Sequence, residues 1–349
     1  MVKKSILIVD DSSVIRRFLV KLLSGAGYET DIAKNGKEAL EKLRQKHYSL
    51  VTLDVEMPIL GGIETLEILM KEKPTRVLML SSYTQESAEV TMRALELGAI
   101  DYIHKPQSSV DIVKVSQEVL DKVQNTLSVI PSFLKQNLAP FRKCSVEVDE
   151  SIDMGFVLIG ASTGGPRLIE QICRTLPKNY PHAVCVVQHM PTEFTKNFAT
   201  RLNTISEIEV LEADNGVELQ RGRVIIAKGG KHLHIRKKIK KFSVVLAPNT
   251  RERFFIPSVD EMFFSALETL PIKNVLAIEL TGIGDDGADG LVELKKKGAF
   301  TIAESEATAV VYGMPKEAAL RGGASKVLDF NDIIDEIMRY GQKNKFGSR

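Results

Sequence analysis

The 349 residues contain only three cysteines, Cys144, Cys173 and Cys185, an odd number with no CxxC spacing. That scarcity excludes a disulfide framework and a cysteine-held zinc site, and the thiols are expected to be buried or inert. An excess of one charge is also missing, since 47 basic residues stand against 45 acidic ones for a net charge of +2. Such a balance provides no general field for nucleic acid or an anionic membrane, so any partner must be recognised locally. No apolar run approaches the ~18 residues that a membrane span needs, which argues against membrane insertion. The opening MVKKSILIVDD has neither the longer apolar stretch nor the small-residue cleavage site of a signal peptide, which predicts a cytoplasmic protein. No period of ~20 to 50 residues and no low-complexity tract is present, so solenoids and arrays are disfavoured.

What remains is an ordinary globular composition, 44% hydrophobic and 26% charged, in a chain long enough for two domains. From Lys4 to about Asn125, the strand-like runs SILIV, TDIA, LVTLD, RVLML and DYIH each precede a segment of helical period. That alternation predicts a five-stranded parallel sheet covered by helices, with ligands outside the carboxyl ends of its strands. A second series, GFVLIGAS, AVCVVQH, IEVLE, RVIIA, NVLAIELTG, AFTIAE and KVLDF, predicts another mostly parallel, doubly wound α/β domain. It is interrupted by KHLHIRKKIKKFSVVLAP, which alternates polar and apolar residues around a charged turn, as an antiparallel hairpin does. The expected boundaries are 1–124 for the first domain, 125–152 for a linker holding Pro131 and Pro140, and 153–349 for the second domain.

In the first domain, acids and hydroxyls sit at strand ends: Asp10 and Asp11, then Asp54, then Ser81 with Ser82, and finally Lys105. Converging carboxylates suit Mg²⁺, a hard ion that takes oxygen ligands, and Asp11, Asp54 and the Glu56 backbone carbonyl are candidate ligands beside Asp10. A carboxylate next to Mg²⁺ can attack a phosphoryl donor, and Asp54 is the central candidate. The Lys105 ammonium and Ser81 hydroxyl would compensate the new charge and draw two loops inward. The competing reading is a set of solvated or helix-capping acids. IVDDS, LDVEMPILGG, LMLSS and YIHKP, in this order, resemble the signature segments of two-component receiver domains. The resemblance implies a flavodoxin-like fold, Asp54 as phosphoacceptor, Ser81 and Lys105 as phosphate-binding residues, Tyr102 as a switch aromatic, and a cis peptide before Pro106.

The second domain opens with Gly160-Ala161-Ser162-Thr163-Gly164-Gly165-Pro166 between a strand and a helix. As a phosphate cradle it has the wrong spacing for GxGxxG, and the next strand ends in Gln188 and His189 instead of a ribose-binding acid. As G-x-S-x-G it presents a serine on a tight turn, with His189 at the end of a neighbouring run. A serine needs a base to take its proton, and an imidazole can do so near neutrality once a third group orients it. That third group is sought in TGIGDDGADG, where Asp286 competes with Asp285 and Asp289. A calcium loop is disfavoured, because counting from Asp285 puts Gly287 at position 3 and Lys296 at position 12. Helix capping by Ser162 and a structural His189 stay open on the residues alone. His232 and His234 share a strand face, but without a third ligand they are read as solvent-facing and not as a metal pair.

GASTGGP, VVQHM, IIAKGGKHL, PSVDEMFFSA, LTGIGDDGADG and VVYGMPKEA together resemble the catalytic domain of chemotaxis protein-glutamate methylesterases, the CheB family. The resemblance implies Ser162 as nucleophile, His189 as base and acid, Asp286 as orienting carboxylate, and oxyanion donors from the backbone N–H groups of Thr163 and Ile283. The family usually has methionine at position 283, and a backbone donor survives such a change of side chain. Also implied are hydrolysis of glutamyl methyl esters on chemoreceptors, deamidation of receptor glutamines, a chemotaxis histidine kinase as phosphodonor, obstruction of the esterase site by the unphosphorylated receiver, recruitment to chemoreceptor arrays and a monomeric state. Ester hydrolysis itself would need no cofactor. The alternative is a response regulator that acts by binding DNA or a signalling partner. It is disfavoured by the charge balance and by the absence of an evident helix-turn-helix.

Overall fold

The computed structural model describes residues 3–82, 84–106, 109–129, 153–239 and 241–342. The chain divides into two compact units, Met1–Ala139 and Pro140–Arg349. The first runs β1 (Ser5–Val9), α1 (Ser13–Gly25), β2 (Glu29–Ala33), α2 (Gly36–Gln45), β3 (Leu50–Asp54), α3 (Gly62–Glu72), β4 (Val77–Ser81), α4 (Gln85–Glu96), β5 (Asp101–His104) and α5 (Ser109–Ser128). Its five strands are all parallel, in the order β2-β1-β3-β4-β5. The inner strands β1, β3 and β4 are buried along their whole lengths, as expected of a parallel sheet covered on both faces. The strand order reverses between β1 and β3, and the carboxyl ends there open the crevice in which such sheets bind ligands. α5 carries this unit past the expected boundary at residue 124, because Val119, Val123 and Leu127 continue one buried face at helical spacing. The remainder of the expected linker, including Pro131, Pro140 and Cys144, lies outside the described residues.

The second unit begins with β6 (Phe156–Ala161), α6 (Gly165–Thr175), β7 (Ala183–Gln188), α7 (Thr192–Ile205), β8 (Glu209–Glu212) and β9 (Arg223–Ile226). It continues through β10 (His232–Lys238), β11 (Lys241–Ala247), α8 (Val259–Thr269), β12 (Val275–Glu279), α9 (Ala288–Lys296), β13 (Phe300–Glu304), α10 (Met314–Leu320), β14 (Lys326–Leu328) and α11 (Phe330–Tyr340). Seven parallel strands are ordered β14-β13-β12-β6-β7-β9-β8, while β10 and β11 form the expected antiparallel hairpin as a separate sheet. The hairpin's inward residues Leu233, Ile235 and Val244 join Met262 and Phe263 of α8 and Leu291 and Leu294 of α9 in one core over the sheet. Here the order reverses at β6, with β12 on one side and β7 on the other. The loops that follow these three strands therefore converge on one crevice. Cys173 and Cys185 are buried free thiols, pushed up to about 12 by burial, in keeping with the inert role expected of them. Among the described residues no helix is long and apolar enough to cross a membrane.

Candidate active site

In the first unit, the crevice between β1 and β3 holds Asp10, Asp11 and Asp54 with carboxylate oxygens within 4.8 Å of one another. Lys105, from the loop after β5, places its Nζ 2.6 Å from Asp54 Oδ2 and 3.0 Å from Asp10 Oδ2. Asp10 is further fixed by the Ser12 N–H at 2.8 Å, and the Glu56 N–H donates to Asp54 Oδ1 at 3.3 Å, laying that peptide over the carboxylate. Burial, with Asp10 as its neighbour, pushes Asp54 up to about 6 despite Lys105, and burial raises Asp10 as well. Burial pulls the Lys105 ammonium down, but Asp54 and Asp10 outweigh it and the net direction is up. Two buried acids thus share one ammonium, a shortage of positive charge that a hard divalent cation would fill. The oxygen-only donor set fits Mg²⁺.

Ser81 ends β4, beside Asp54, and its hydroxyl lies 2.8 Å from that of Thr91 on α4. Tyr102 is buried, edge-on to His104 with ring centroids 5.4 Å apart, and Lys122 Nζ sits 4.8 Å from its ring centroid. Its ring thus packs beside His104 of β5 and Lys122 of α5. The cis bond expected before Pro106 is absent; the cis X-Pro bond among the described residues is Ile256–Pro257.

In the second unit, Ser162 leaves β6 on a turn closed by Gly165 N–H to Ser162 O at 2.8 Å, with Gly164 at φ +82° as the N-cap of α6. A left-handed φ is accessible to glycine at little cost, so this position sustains the sharp turn. The Ser162 N–H is tied to Thr281 O at 2.9 Å, which binds the turn to the loop after β12. Gln188, at the end of β7, pairs in register with Ala161 and donates its side-chain amide to Ser162 O at 2.9 Å. His189 N–H bonds Ala161 O at 3.0 Å, so Ser162 and His189 are the next neighbours beyond the last register pair.

His189 Nε2 donates to Asp286 Oδ2 at 2.8 Å, and its buried Nδ1 has no hydrogen-bond partner among the described residues. That tautomer leaves a free lone pair on the nitrogen facing away from the carboxylate. Asp286 itself rests on the N-terminus of α8. It accepts from the Ser258 hydroxyl at 2.7 Å, from Val259 N–H at 2.7 Å and from Asp260 N–H at 3.2 Å. Burial acts to raise Asp286, but the bonds from His189, Ser258 and Val259 prevail and hold it below the usual carboxylate range. The rivals Asp285 and Asp289 are exposed and ion-paired with Arg321.

Gly282 comes so close that a Cβ on it would lie 2.8 Å from Ser162 Cβ, and the Ile283 N–H belongs to the peptide that follows it. That N–H makes no hydrogen bond among the described residues. Thr163 is buried behind the turn, and the Thr281 hydroxyl donates to its carbonyl at 2.8 Å. Sequence reasoning did not single out Ser258, Thr281 or the bracing role of Gln188. The run PSVD before a helical segment was the available signal for the first.

His232 is not solvent-facing as expected. It is 2% exposed, since both its ring nitrogens are engaged: Nδ1 accepts from Ser258 N–H at 3.1 Å and Nε2 donates to Asn249 Oδ1 at 3.1 Å. His234 points towards Glu261 at 3.1 Å.

Comparison with known proteins finds a family match in each of the two units. Residues 6–117 match the family described as response regulator receiver domain, and residues 157–337 match CheB methylesterase. A protein-glutamate methylesterase/protein-glutamine glutaminase 2 of Carboxydothermus hydrogenoformans is 41% identical over 97% of this chain and 99% of its own length. A protein-glutamate methylesterase/protein-glutamine glutaminase of Archaeoglobus fulgidus is 41% identical over 96% of this chain and 97% of its own. The crystal structure of the Thermotoga maritima CheB methylesterase catalytic domain superposes with a TM-score of 0.52 at 39% identity, covering 54% of this chain and 99% of that one. The chain therefore belongs to the CheB methylesterase family, with a response regulator receiver domain preceding the methylesterase domain.

Proposed function

We propose that this chain is a phosphorylation-controlled protein-glutamate methylesterase and protein-glutamine glutaminase, with Ser162, His189 and Asp286 as its catalytic residues. The observation that carries the reading is the His189–Asp286 bond, with the buried Nδ1 unpartnered among the described residues and His189 following β7 next to where Ser162 follows β6. Ser162 Oγ attacks the ester carbonyl of a methylated glutamate as its proton passes to His189 Nδ1. The carbonyl oxygen takes the negative charge and is met by the N–H groups of Thr163 and Ile283. When the tetrahedral intermediate collapses, the proton moves from His189 to the departing methanol and an acyl-enzyme remains. Water, deprotonated by the same imidazole, then releases the glutamate carboxylate. A glutamine side chain follows the same course with ammonia as the leaving group. Asp286 stays ionised throughout and holds the ring in the tautomer that the step needs.

In the receiver unit, Asp54 is the proposed phosphoacceptor, with Lys105 and Ser81 as phosphate partners. Asp10, Asp11, Asp54 and the Glu56 carbonyl would hold Mg²⁺, which when bound supplies charge neutralisation for an incoming phosphate. A chemotaxis histidine kinase is the proposed donor, and the cytoplasmic helices of chemoreceptors, at their arrays, are the proposed substrate. The test is methanol release from methylated receptor membranes, with and without acetyl phosphate. Ser162→Ala should abolish release and Asp54→Asn should abolish the response to acetyl phosphate. Release retained by Ser162→Ala would reject the mechanism.

A further inference from the structure

The ring of Phe255 lies parallel to the imidazole of His189, with centroids 4.0 Å apart and an interplanar angle of 9°. Phe254 in turn meets Phe255 edge-on, at 4.9 Å and 86°. The segment carrying this pair is braced at both ends. Asn249 closes it by accepting from Arg253 N–H at 2.8 Å and donating to Arg253 O at 2.9 Å, while Arg253 Nε binds Glu261 at 3.0 Å. Ile256 O takes the Gly230 N–H at 3.2 Å. A phenyl ring held in this way can fix the plane of an imidazole whose only described side-chain hydrogen bond is to Asp286.

We propose that Phe255 is a positioning residue for His189, acting through the face of its ring. Two consequences follow, and both rest on the esterase reading. The stack prevents the imidazole from swinging about its bond to Asp286, so Nδ1 is kept where it can receive the Ser162 proton. Once that proton arrives, the imidazolium lies against the electron-rich face of Phe255, a favourable contact that exists only after proton transfer. An interaction gained on the way to the transition state shows in kcat and leaves KM nearly unchanged.

The experiment compares wild type, Phe255→Leu and Phe255→Tyr as full chains stimulated with acetyl phosphate, reading kcat and KM for methanol release from methylated receptor membranes. Leucine fills much of the space and stays apolar but has no π face; tyrosine keeps the face. Phe255→Leu is expected to lower kcat roughly tenfold with KM within about twofold, and Phe255→Tyr to restore kcat to within about twofold of wild type. A second readout needs no turnover. The imidazole C–H protons of His189 should carry a ring-current shift in wild type and Phe255→Tyr that is lost in Phe255→Leu. The proposal is overturned if Phe255→Leu keeps the wild-type kcat, if Phe255→Tyr is as impaired as Phe255→Leu, or if the ring-current shift is absent from wild type. If wild type releases no methanol, the esterase reading fails by itself, and the proton spectrum still decides whether the stack exists.

Discussion

Ser258 caps helix α8 through the Glu261 N–H and, with the same hydroxyl, donates to Asp286 across 2.7 Å. One side chain thus sets both the start of the helix and the orientation of the carboxylate that the helix N-terminus receives. In Ser258→Ala, Asp286 keeps its backbone donors Val259 and Asp260 and should stay ionised, but it loses one of the bonds that fix its rotation. The expected result is a roughly tenfold lower kcat for methanol release with little change in KM. Loss of the cap should also cost about 1 kcal/mol of stability, a fall of roughly 2–4 °C in the melting midpoint of a unit this size. Ser258→Thr keeps both hydroxyl functions and should restore both values. A Ser258→Ala enzyme with wild-type kcat would show that the bond plays no part in orienting Asp286.

Lys105 is the described cation that bridges Asp10 and Asp54. Lys105→Ala removes the charge that opposes the effect of burial on both acids, and it also removes the proposed phosphate partner. Acetyl phosphate should therefore fail to stimulate methanol release in Lys105→Ala, even where Asp54 still becomes phosphorylated. Phosphorylation can be followed separately by the mass of the intact protein. Stimulation equal to wild type would remove Lys105 from the switch.

Much of this arrangement is legible in the sequence because parallel strands buried on both faces must be nearly continuous apolar runs. SILIV, LVTLD and DYIH coincide with β1, β3 and β5, and AVCVVQ with β7. Strand ends locate the chemistry for the same reason, since in such sheets the carboxyl edge is where polar side chains converge. What was not legible depends on which loops meet across the sheet. Asp285, Asp286 and Asp289 are alike on paper, and only the approach of the α8 N-terminus singles out Asp286. His232 looked like an exposed strand residue because the hairpin's own alternation does not reveal that Asn249 and Ser258 close over it. The end of α5 is obscured in the sequence because polar Gln124 and Asn125 interrupt the pattern, although Val123 and Leu127 stay on the buried face.

Gly282 tests how tightly the proposed oxyanion loop is set against Ser162, the proposed nucleophile. A methyl group there would fall 2.1 Å from Met314 Sδ and 2.8 Å from Ser162 Cβ. The methionine is flexible and can retreat, whereas Ser162 is tied at its N–H and at its carbonyl. Gly282→Ala should consequently displace the loop that carries the Ile283 N–H, and kcat should fall by on the order of 10²-fold. An unchanged far-ultraviolet spectrum would separate this loss from unfolding. Wild-type kcat in the variant would mean that the Ile283 N–H does not hold the oxyanion.

Glu304 links the stability of the esterase unit to pH. It is fully buried, accepts the Thr281 N–H at 2.8 Å, and is pushed by burial from 4.5 up to about 7. The folded state therefore binds this proton more tightly than the unfolded state does. Its stabilising contribution is complete below about pH 4.5 and is lost progressively as the pH rises to about 7. Over that interval the gap corresponds to about 3 to 4 kcal/mol at most, at roughly 1.4 kcal/mol per pH unit. Glu304→Gln keeps a carbonyl oxygen for the Thr281 N–H and cannot ionise. Its melting midpoint should match wild type near pH 4.5 and exceed it increasingly up to about pH 7, above which the difference levels off. Other buried acids, Glu279 among them, titrate in both proteins and cancel in the comparison. A difference between the two melting curves that does not vary with pH would show that Glu304 holds its proton no more tightly in the folded chain than in the unfolded one.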